Sequence, residues 1–176
     1  MTVNSPLRPL VVLVGPPGAG KSTIGRRLAR ALNTGLVDSD ELIEQAMNKS
    51  CGEVFSELGE ERFRELEAKH VAEALHSDGV VSLGGGAVLT ASTRELLRDH
   101  DVVWIDVSVE EGVRRTAGER TRPVLAADNP AEHYRGLLEA RRPFYREVST
   151  YRVRTNSRSP QQVVAQVLAH LDNTED

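Results

Sequence analysis

A glycine-rich loop between an apolar strand and an amphipathic helix is the feature that most restricts how this chain folds. The segment from Gly15 to Ser22 reads GPPGAGKS, which fits the pattern GxxxxGK[ST] of a phosphate-binding loop. The apolar run from Leu10 to Val14 precedes it, and a pattern with apolar residues on one helical face follows at once. A glycine turn before a helix is the structural alternative, but the strand, loop and helix context favours a nucleotide site.

The residue types in this loop suit the binding of phosphate groups. Glycines allow backbone N–H groups to point inward around phosphates, and the amino end of the following helix adds partial positive charge. A lysine at this position reaches the outer phosphates, and a serine hydroxyl binds Mg²⁺. The sequence therefore predicts an ATP site formed by Gly18, Ala19, Gly20, Lys21, Ser22 and Thr23.

Short β-branched runs alternate with helical patterns along the rest of the chain. This alternation predicts βαβ units and a mostly parallel sheet covered by helices. The predicted strands are Leu10 to Val14, Leu36 to Asp38, Val80 to Leu83, Val102 to Val107 and Tyr151 to Thr155. The predicted helices are Lys21 to Leu32, Glu60 to His76, Ser92 to Arg98, Val109 to Thr116, Ala131 to Val148 and Pro160 to Leu171. The stretches from Met47 to Gly59 and from Ala117 to Pro130 fit neither pattern and are predicted to be lids or binding loops.

Composition excludes several classes of protein. A chain of 176 residues with 39% apolar content suits one domain, and its single cysteine, Cys51, cannot form an internal disulfide. No apolar run is long enough for a signal peptide or a membrane span, so we expect a cytoplasmic protein. A net charge of −4 with 4% aromatic residues argues against nucleic-acid binding.

Once the helices cover the sheet no apolar stripe is left over, so we expect a monomer.

Arginine supplies nearly all of the positive charge. Of the 22 basic residues only Lys21, Lys49 and Lys69 are lysine. Because a guanidinium group binds carboxylates and phosphates through paired hydrogen bonds, this bias indicates small anionic ligands.

Two aspartates follow the second predicted strand. Asp38 and Asp40 would lie on one side of the chain if the extended conformation persists, at the sheet edge where α/β proteins bind ligands. They could serve a metal ion, act as a base or bind a substrate hydroxyl; alternatively, Asp40 or Ser39 caps the next helix. Asp106, which ends the fourth predicted strand, is a weaker candidate than Asp38 for the acidic residue of the site, because no glycine-rich segment follows it.

A triple glycine ends the third predicted strand, and several arginines are candidate anion ligands. The absence of side chains from Gly84 to Gly86 allows a close approach of a ligand, although a flexible exit from the strand is the alternative. Arg64 lies four residues after Glu60, a spacing typical of an exposed ion pair. From the sequence alone, Arg122 and Arg141 could each equally be a solubilising charge or a cation at the carboxyl end of a helix.

Six short segments, in their order and spacing, closely resemble those of shikimate kinases. They are GPPGAGKST, LVDSD, FRELE, SLGGGAV, RTRPVL and RRPFY, and the resemblance covers about residues 10 to 170. It implies a single α/β P-loop domain of the nucleoside-monophosphate-kinase type, with a five-stranded parallel sheet, helices on both faces and a lid. The core would span about residues 10–171, the substrate-binding region about 39–67 and the lid about 117–130.

The activity that this resemblance implies is transfer of the ATP γ-phosphoryl group to the 3-hydroxyl of shikimate. The product would be shikimate 3-phosphate, on the route to chorismate and the aromatic amino acids. Another small-molecule or nucleotide kinase, of the gluconate or adenylate type, shares the loop and lid and remains an alternative. A P-loop ATPase that acts as a switch without any acceptor is a third possibility.

The resemblance also assigns residues to the acceptor. Asp40 would hold shikimate hydroxyls, and Arg64 and Arg141 would bind its carboxylate. The backbone of Gly84, Gly85 and Gly86 would lie beside the same molecule.

For the nucleotide, the resemblance implies three catalytic residues, Lys21, Asp38 and Arg122. Arg122 would close from the lid onto the transferring phosphate. Mg²⁺ would be held by Ser22 and, through water, by Asp38, which would also lie near the reacting hydroxyl. Arg115, together with Arg158 and Pro160 in the turn from Asn156 to Pro160, would flank the adenine.

Overall fold

Five parallel strands form the centre of the part of the chain that the structure describes. The computed structural model describes residues 6–117 and 129–174. The strand order is β2-β3-β1-β4-β5, and all neighbouring pairs are parallel. The strands are β1 (Val11–Val14), β2 (Leu36–Asp38), β3 (Val80–Ser82), β4 (Val102–Asp106) and β5 (Tyr151–Arg154). The five predicted strands are confirmed, with each end within one residue.

Helices cover both faces of this sheet, which confirms the predicted three-layer architecture. They are α1 (Lys21–Ala31), α2 (Ser39–Met47), α3 (Cys51–Leu58), α4 (Glu60–Ala74), α5 (Ala91–Leu97), α6 (Val109–Thr116), α7 (Pro130–Val148) and α8 (Pro160–Thr174), with a short 3₁₀ helix at Ala87–Leu89. Within the described residues, no helix combines the length and the apolar character that a membrane span requires.

Alternate residues of the central strand β1 bury their side chains on opposite faces of the sheet. Val11 and Leu13 lie in one core with residues of α1 and α8, and Val12 and Val14 lie in the other with residues of α4 and α5. The register pairs Ser82 with Leu13 on one side and with Asp38 on the other. The carboxyl ends of β1, β2 and β3 therefore meet at one edge.

The stretch from Met47 to Gly59, which the sequence predicted to be a loop, is mostly the helix α3. Ser50 caps this helix by accepting a hydrogen bond from the N–H of Glu53 at 3.2 Å. Val54 is buried with Ile43 and Phe63 in a third apolar cluster formed by α2, α3 and α4. The prediction was wrong because a helix of eight residues that contains one glycine and ends at another gives too few turns for a periodic pattern.

Candidate active site

The phosphate loop has glycines where other residues would be strained or would collide. Gly18 and Gly20 have φ angles of 81° and 92°, in the left-handed region. A Cβ at Gly15 would overlap the carbonyl oxygen of Ile105, so the loop also needs glycine where it approaches β4. The Lys21 ammonium donates to the carbonyl oxygen of Gly15 at 2.7 Å and to that of Pro16 at 3.0 Å, which holds its charge against the loop.

A cavity of about 250 Å³ lies between this loop and the ends of β2 and β3. Its lining contains most of the residues predicted for the nucleotide and the metal, whereas Ala19 is buried in the loop. The predicted residues that line it are Gly18, Gly20, Lys21, Ser22, Thr23, Asp38, Asp40, Gly85 and Arg115.

The two aspartates face this cavity although the chain turns between them. β2 ends at Asp38 and α2 begins at Ser39, so the extended geometry does not continue to Asp40. The cap of α2 is Asp38, whose Oδ1 accepts from the N–H groups of Asp40 at 2.8 Å and Glu41 at 3.2 Å. The prediction that Ser39 or Asp40 caps this helix was wrong; the Ser39 hydroxyl instead accepts from the N–H of Gly84 at 3.0 Å.

The surroundings of Asp38 suit a cation. Burial, followed by the negative charge of Asp40, raises the pKa of Asp38 above its usual value. Mg²⁺ prefers oxygen ligands, keeps several waters and usually binds one or two protein groups together with substrate phosphates. Such a site needs no cluster of three acidic, His or Cys side chains, and the described residues contain none. The hydroxyl of Ser22 and the carboxylate of Asp38 on one cavity therefore fit this ion.

Asp106 serves the structure of the sheet. Its Oδ2 accepts from Nε of Arg152 at 2.9 Å, and its Oδ1 accepts from the N–H of Val107 at 2.9 Å. Because both oxygens are bonded and the residue is buried, it is a poorer candidate for the chemistry than Asp38.

Each glycine of the triple glycine leaves room for one side chain of the site. The segment is therefore a point of close packing, which favours a role in the site over the alternative of a flexible strand exit. A Cβ added at Gly84 would overlap Oδ1 of Asp40, and one added at Gly86 would lie 2.5 Å from Nη1 and Nη2 of Arg64. A Cβ added at Gly85 would lie 3.0 Å from Cδ of Pro17 and 3.3 Å from Nη1 of Arg141.

A second cavity, of about 100 Å³, adjoins the first and shares Asp40, Gly85 and Pro17 with it. Two guanidinium groups line it, those of Arg64 and Arg141, and aromatic rings line it as well. Paired guanidinium groups beside apolar surface suit a small carboxylate with a carbon ring. The lining residues used in this argument are Asp40, Phe55, Phe63, Arg64, Glu67, Gly85, Gly86 and Arg141.

Glu67 belongs to this cavity and was missed from the sequence. Nη1 of Arg64 donates to Oε1 of Glu67 at 2.8 Å, whereas Glu60 lies 4.0 Å from Nε of Arg64, beyond hydrogen-bond distance. The predicted pair between Glu60 and Arg64 is therefore present as a long ion pair with an exposed glutamate, and the hydrogen bond of Arg64 goes to Glu67. Spacing alone did not indicate which carboxylate is hydrogen-bonded to Arg64, since both Glu60 and Glu67 are one helical turn from it. Burial distinguishes the two, because Glu67 is only 2% exposed.

The buried carboxylate makes a testable contribution to stability. Burial raises the pKa of Glu67 from 4.5 to about 6, even with Arg64 beside it. The folded state binds the proton of the Glu67 carboxyl more tightly than the unfolded state does. The contribution of this proton to the free energy of unfolding is therefore complete below pH 4.5 and is lost as the pH rises through 6. The unfolding free energy of the wild type relative to Glu67→Gln should thus be about 2 kcal/mol lower at pH 7.5 than at pH 4.

Urea unfolding of both proteins at the two pH values measures this difference. Glu65→Gln, an exposed change on the same helix, is the matched control and should show no such pH dependence relative to the wild type. A difference between the wild type and Glu67→Gln that stays constant with pH would contradict the assignment.

Arg115 connects the phosphate loop with the end of β5. Its Nη1 donates to the carbonyl oxygen of Gly18 at 3.2 Å and to Oγ1 of Thr155 at 3.1 Å. Glu111 accepts from Nε of Arg115 at 2.9 Å and keeps the side chain across α6. Arg115 thus lies at the rim of the phosphate cavity, on the side of α6 and β5.

Besides Ala19, two predicted nucleotide residues do not line the described cavity. Arg158 is exposed, and its Nη1 donates to Oε1 of Gln166 at 2.7 Å. Neither Arg158 nor Pro160 lines the phosphate cavity. Arg122 and residues 118–128 of the predicted lid lie outside the described residues.

Known proteins resemble this chain over nearly its whole length. A family model described as shikimate kinase matches residues 17–172. Shikimate kinases of Corynebacterium efficiens and Corynebacterium glutamicum are 83% and 76% identical to it over 166 residues, which make up 94% of this chain and 98% of each relative. Among solved structures, a shikimate kinase from Acinetobacter baumannii in complex with shikimate superimposes with a TM-score of 0.90 at 35% identity, covering 96% of this chain and 94% of the other.

Proposed function

This chain belongs to the shikimate kinase family, and we propose that it transfers the γ-phosphoryl group of ATP to the 3-hydroxyl of shikimate. The observation that carries the proposal is the pair of adjoining cavities. One is formed by the phosphate loop, the other contains the guanidinium groups of Arg64 and Arg141, and both include Asp40. The Acinetobacter baumannii relative, solved with shikimate bound, supports the same acceptor.

In this reaction the bond between the acceptor oxygen and the γ-phosphorus forms while the bond from that phosphorus to the bridging oxygen of ADP breaks. The transfer requires little covalent chemistry of the protein, so alignment and charge supply the rate. We propose that Lys21 neutralises the phosphates and that Arg122 closes on them from the lid. Asp38 would either take the proton of the hydroxyl or organise Mg²⁺ and its waters beside it.

Ser22, and Asp38 through water, would hold Mg²⁺. When bound, this ion supplies positive charge to the β- and γ-phosphate oxygens. Arg115 would lie beside the adenine, at the rim of the phosphate cavity between Gly18 and Thr155. Arg158 and Pro160 stay weaker proposals for the same role, since the described cavity does not include them.

The acceptor cavity also bears on the alternatives. AMP, which an adenylate-type kinase would have to admit, has no carboxylate for the two guanidinium groups that line this cavity. Gluconate carries a carboxylate as shikimate does, but it lacks a carbon ring to pack against Phe55 and Phe63. An ATPase switch has no use for two guanidinium groups directed at a second cavity. A monomeric state and a cytoplasmic location stay predictions.

One coupled assay tests the function. ADP release from ATP and Mg²⁺ is measured with shikimate, with gluconate, with AMP and with no acceptor. We expect only shikimate to accelerate the release, and the product to carry one phosphate for each ADP formed. Acceleration by gluconate or AMP but not by shikimate would refute the proposed acceptor, and an equal rate in all four reactions would indicate an ATPase.

Replacing Arg141 with alanine should mainly weaken shikimate binding. Removal of one charge-assisted contact to the carboxylate should raise the KM for shikimate about 10- to 100-fold, while the KM for ATP changes little. Arg146→Ala, an exposed arginine on the same helix, is the matched control and should leave both constants unchanged. An unaltered shikimate KM in a folded Arg141→Ala variant would remove Arg141 from the acceptor site.

A further inference from the structure

Helix α7 is bonded to two loops of the active site through tyrosine hydroxyl groups. Oη of Tyr134 donates to the carbonyl oxygen of Pro17 at 2.6 Å, in the phosphate loop. Oη of Tyr145 donates to the carbonyl oxygen of Gly85 at 2.6 Å, in the triple glycine. Pro17 and Gly85 both lie in the wall that the two cavities share, so one rigid element fixes two backbone positions between them.

The spacing along α7 explains how one helix can reach both loops. Tyr134 and Tyr145 are separated by about three turns and share a helical face with Arg141. Tyr134 packs in the first of the two cores beside the sheet, and Tyr145 packs in the second, where its ring lies 5.8 Å from that of Trp104. The helix thus passes from one layer to the other across the carboxyl edge of the sheet.

Packing holds each hydroxyl in place. Both tyrosines are completely buried, and a Cβ added at Gly112 would overlap the ring of Tyr134. A phenylalanine would fill the same space, so the core does not need either oxygen atom. A buried hydroxyl is unfavourable unless it is hydrogen-bonded, and here each one donates to a backbone carbonyl of an active-site loop. The Tyr145 hydroxyl also has a hydrogen bond with the Arg141 side chain, so it supports this arginine directly as well as through Gly85.

We propose that Tyr134 and Tyr145 are positioning residues that act on different substrates. Tyr134 fixes the phosphate loop at Pro17, next to the loop residues that line only the nucleotide cavity, and so affects the nucleotide. Tyr145 fixes the triple glycine at Gly85, against which Arg141 packs, and so affects shikimate. Because both are on α7, the helix also holds the donor and the acceptor at a constant separation. The assignment to two substrates rests on the proposed function.

The three tyrosines of the chain provide the test and its control. Tyr134→Phe should weaken ADP binding, measured by calorimetry without shikimate, about three- to tenfold, the loss expected for one hydrogen bond. Its KM for shikimate should stay unchanged. Tyr145→Phe should show the reverse, with a KM for shikimate raised about three- to tenfold and normal ADP binding. Tyr151→Phe, whose ring stacks on His170 at the sheet edge, should alter neither quantity.

If the two hydroxyl groups only stabilised the fold, their removal would not affect ADP and shikimate separately. If each single variant weakened both ligands, or if neither changed any constant, the proposal would be overturned. The double variant should show both losses at the sizes seen in the single variants. Removal of one oxygen atom leaves the packing intact, so thermal unfolding curves should confirm that all variants fold. Were the wild type to reject shikimate, the proposed function would fail, whereas the effect of Tyr134→Phe on ADP binding would still test the positioning role.

Discussion

Replacing Lys21 with alanine is expected to lower kcat by about 10²- to 10⁴-fold. The γ-phosphoryl group carries its charge on three oxygens during transfer, and a cation directed at these oxygens stabilises the transition state more than the ground state. Loss of such a group costs about 3 to 5 kcal/mol of transition-state stabilisation. Steady-state kinetics with ATP, Mg²⁺ and shikimate measure the change.

The Lys21 variant also needs a test of its structure, because the ammonium donates to the carbonyl oxygens of Gly15 and Pro16. Its unfolding free energy should fall by no more than about 1 to 3 kcal/mol, the range for two partly exposed hydrogen bonds. Lys69→Ala, on the exposed side of α4, is the control and should keep full activity. A folded Lys21→Ala variant with nearly normal kcat would refute the role of this residue.

The parallel sheet and the phosphate loop could be predicted because their signals are local. β-branched runs such as Val11–Val14 and Val102–Asp106 alternate with helical patterns, and the spacing of Gly15, Gly20 and Lys21 is specific in that context. Strand ends were accurate to one residue. The helix α3 was missed because it is short and its stability comes from packing of Val54, which periodicity does not reveal.

The parts of the site that were missed depend on contacts between distant residues. The hydroxyl of Tyr134 bonds to a residue 117 positions away, and that of Tyr145 to one 60 positions away. Similarly, the hydrogen bond from Arg64 to Glu67 depends on burial of this glutamate, which only the packed cavity determines. Asp38 and Asp40 were correctly placed on one cavity, but through a helix cap and not through an extended strand.

Replacing Gly84 with alanine should separate the acceptor site from the nucleotide site. The added Cβ would overlap Oδ1 of Asp40 and would lie 3.1 Å from its Cγ. Because an aspartate side chain is short and the Gly84 N–H is bonded to Ser39, either the carboxylate or the loop must move. A displacement of about 1 Å in an aligned site costs about 10²-fold in rate. We therefore expect kcat/KM for shikimate to fall by about 10²-fold or more, while ADP binding without shikimate stays near normal.

Gly35→Ala is the matched control for the Gly84 variant. A Cβ at Gly35 meets no atom within 4 Å, and its backbone does not require a left-handed φ, so both substrates should bind and react as in the wild type. The acceptor effect should also be specific to Asp40: once Asp40→Ala has removed the carboxylate, adding Gly84→Ala should reduce kcat/KM little further, since the group that collides is gone. If the losses in kcat/KM from Asp40→Ala and Gly84→Ala were fully additive in the double variant, the substitution of Gly84 would act through the backbone and not through Asp40. Normal shikimate kinetics in Gly84→Ala would mean that the close packing of the triple glycine against Asp40 has no part in holding the acceptor.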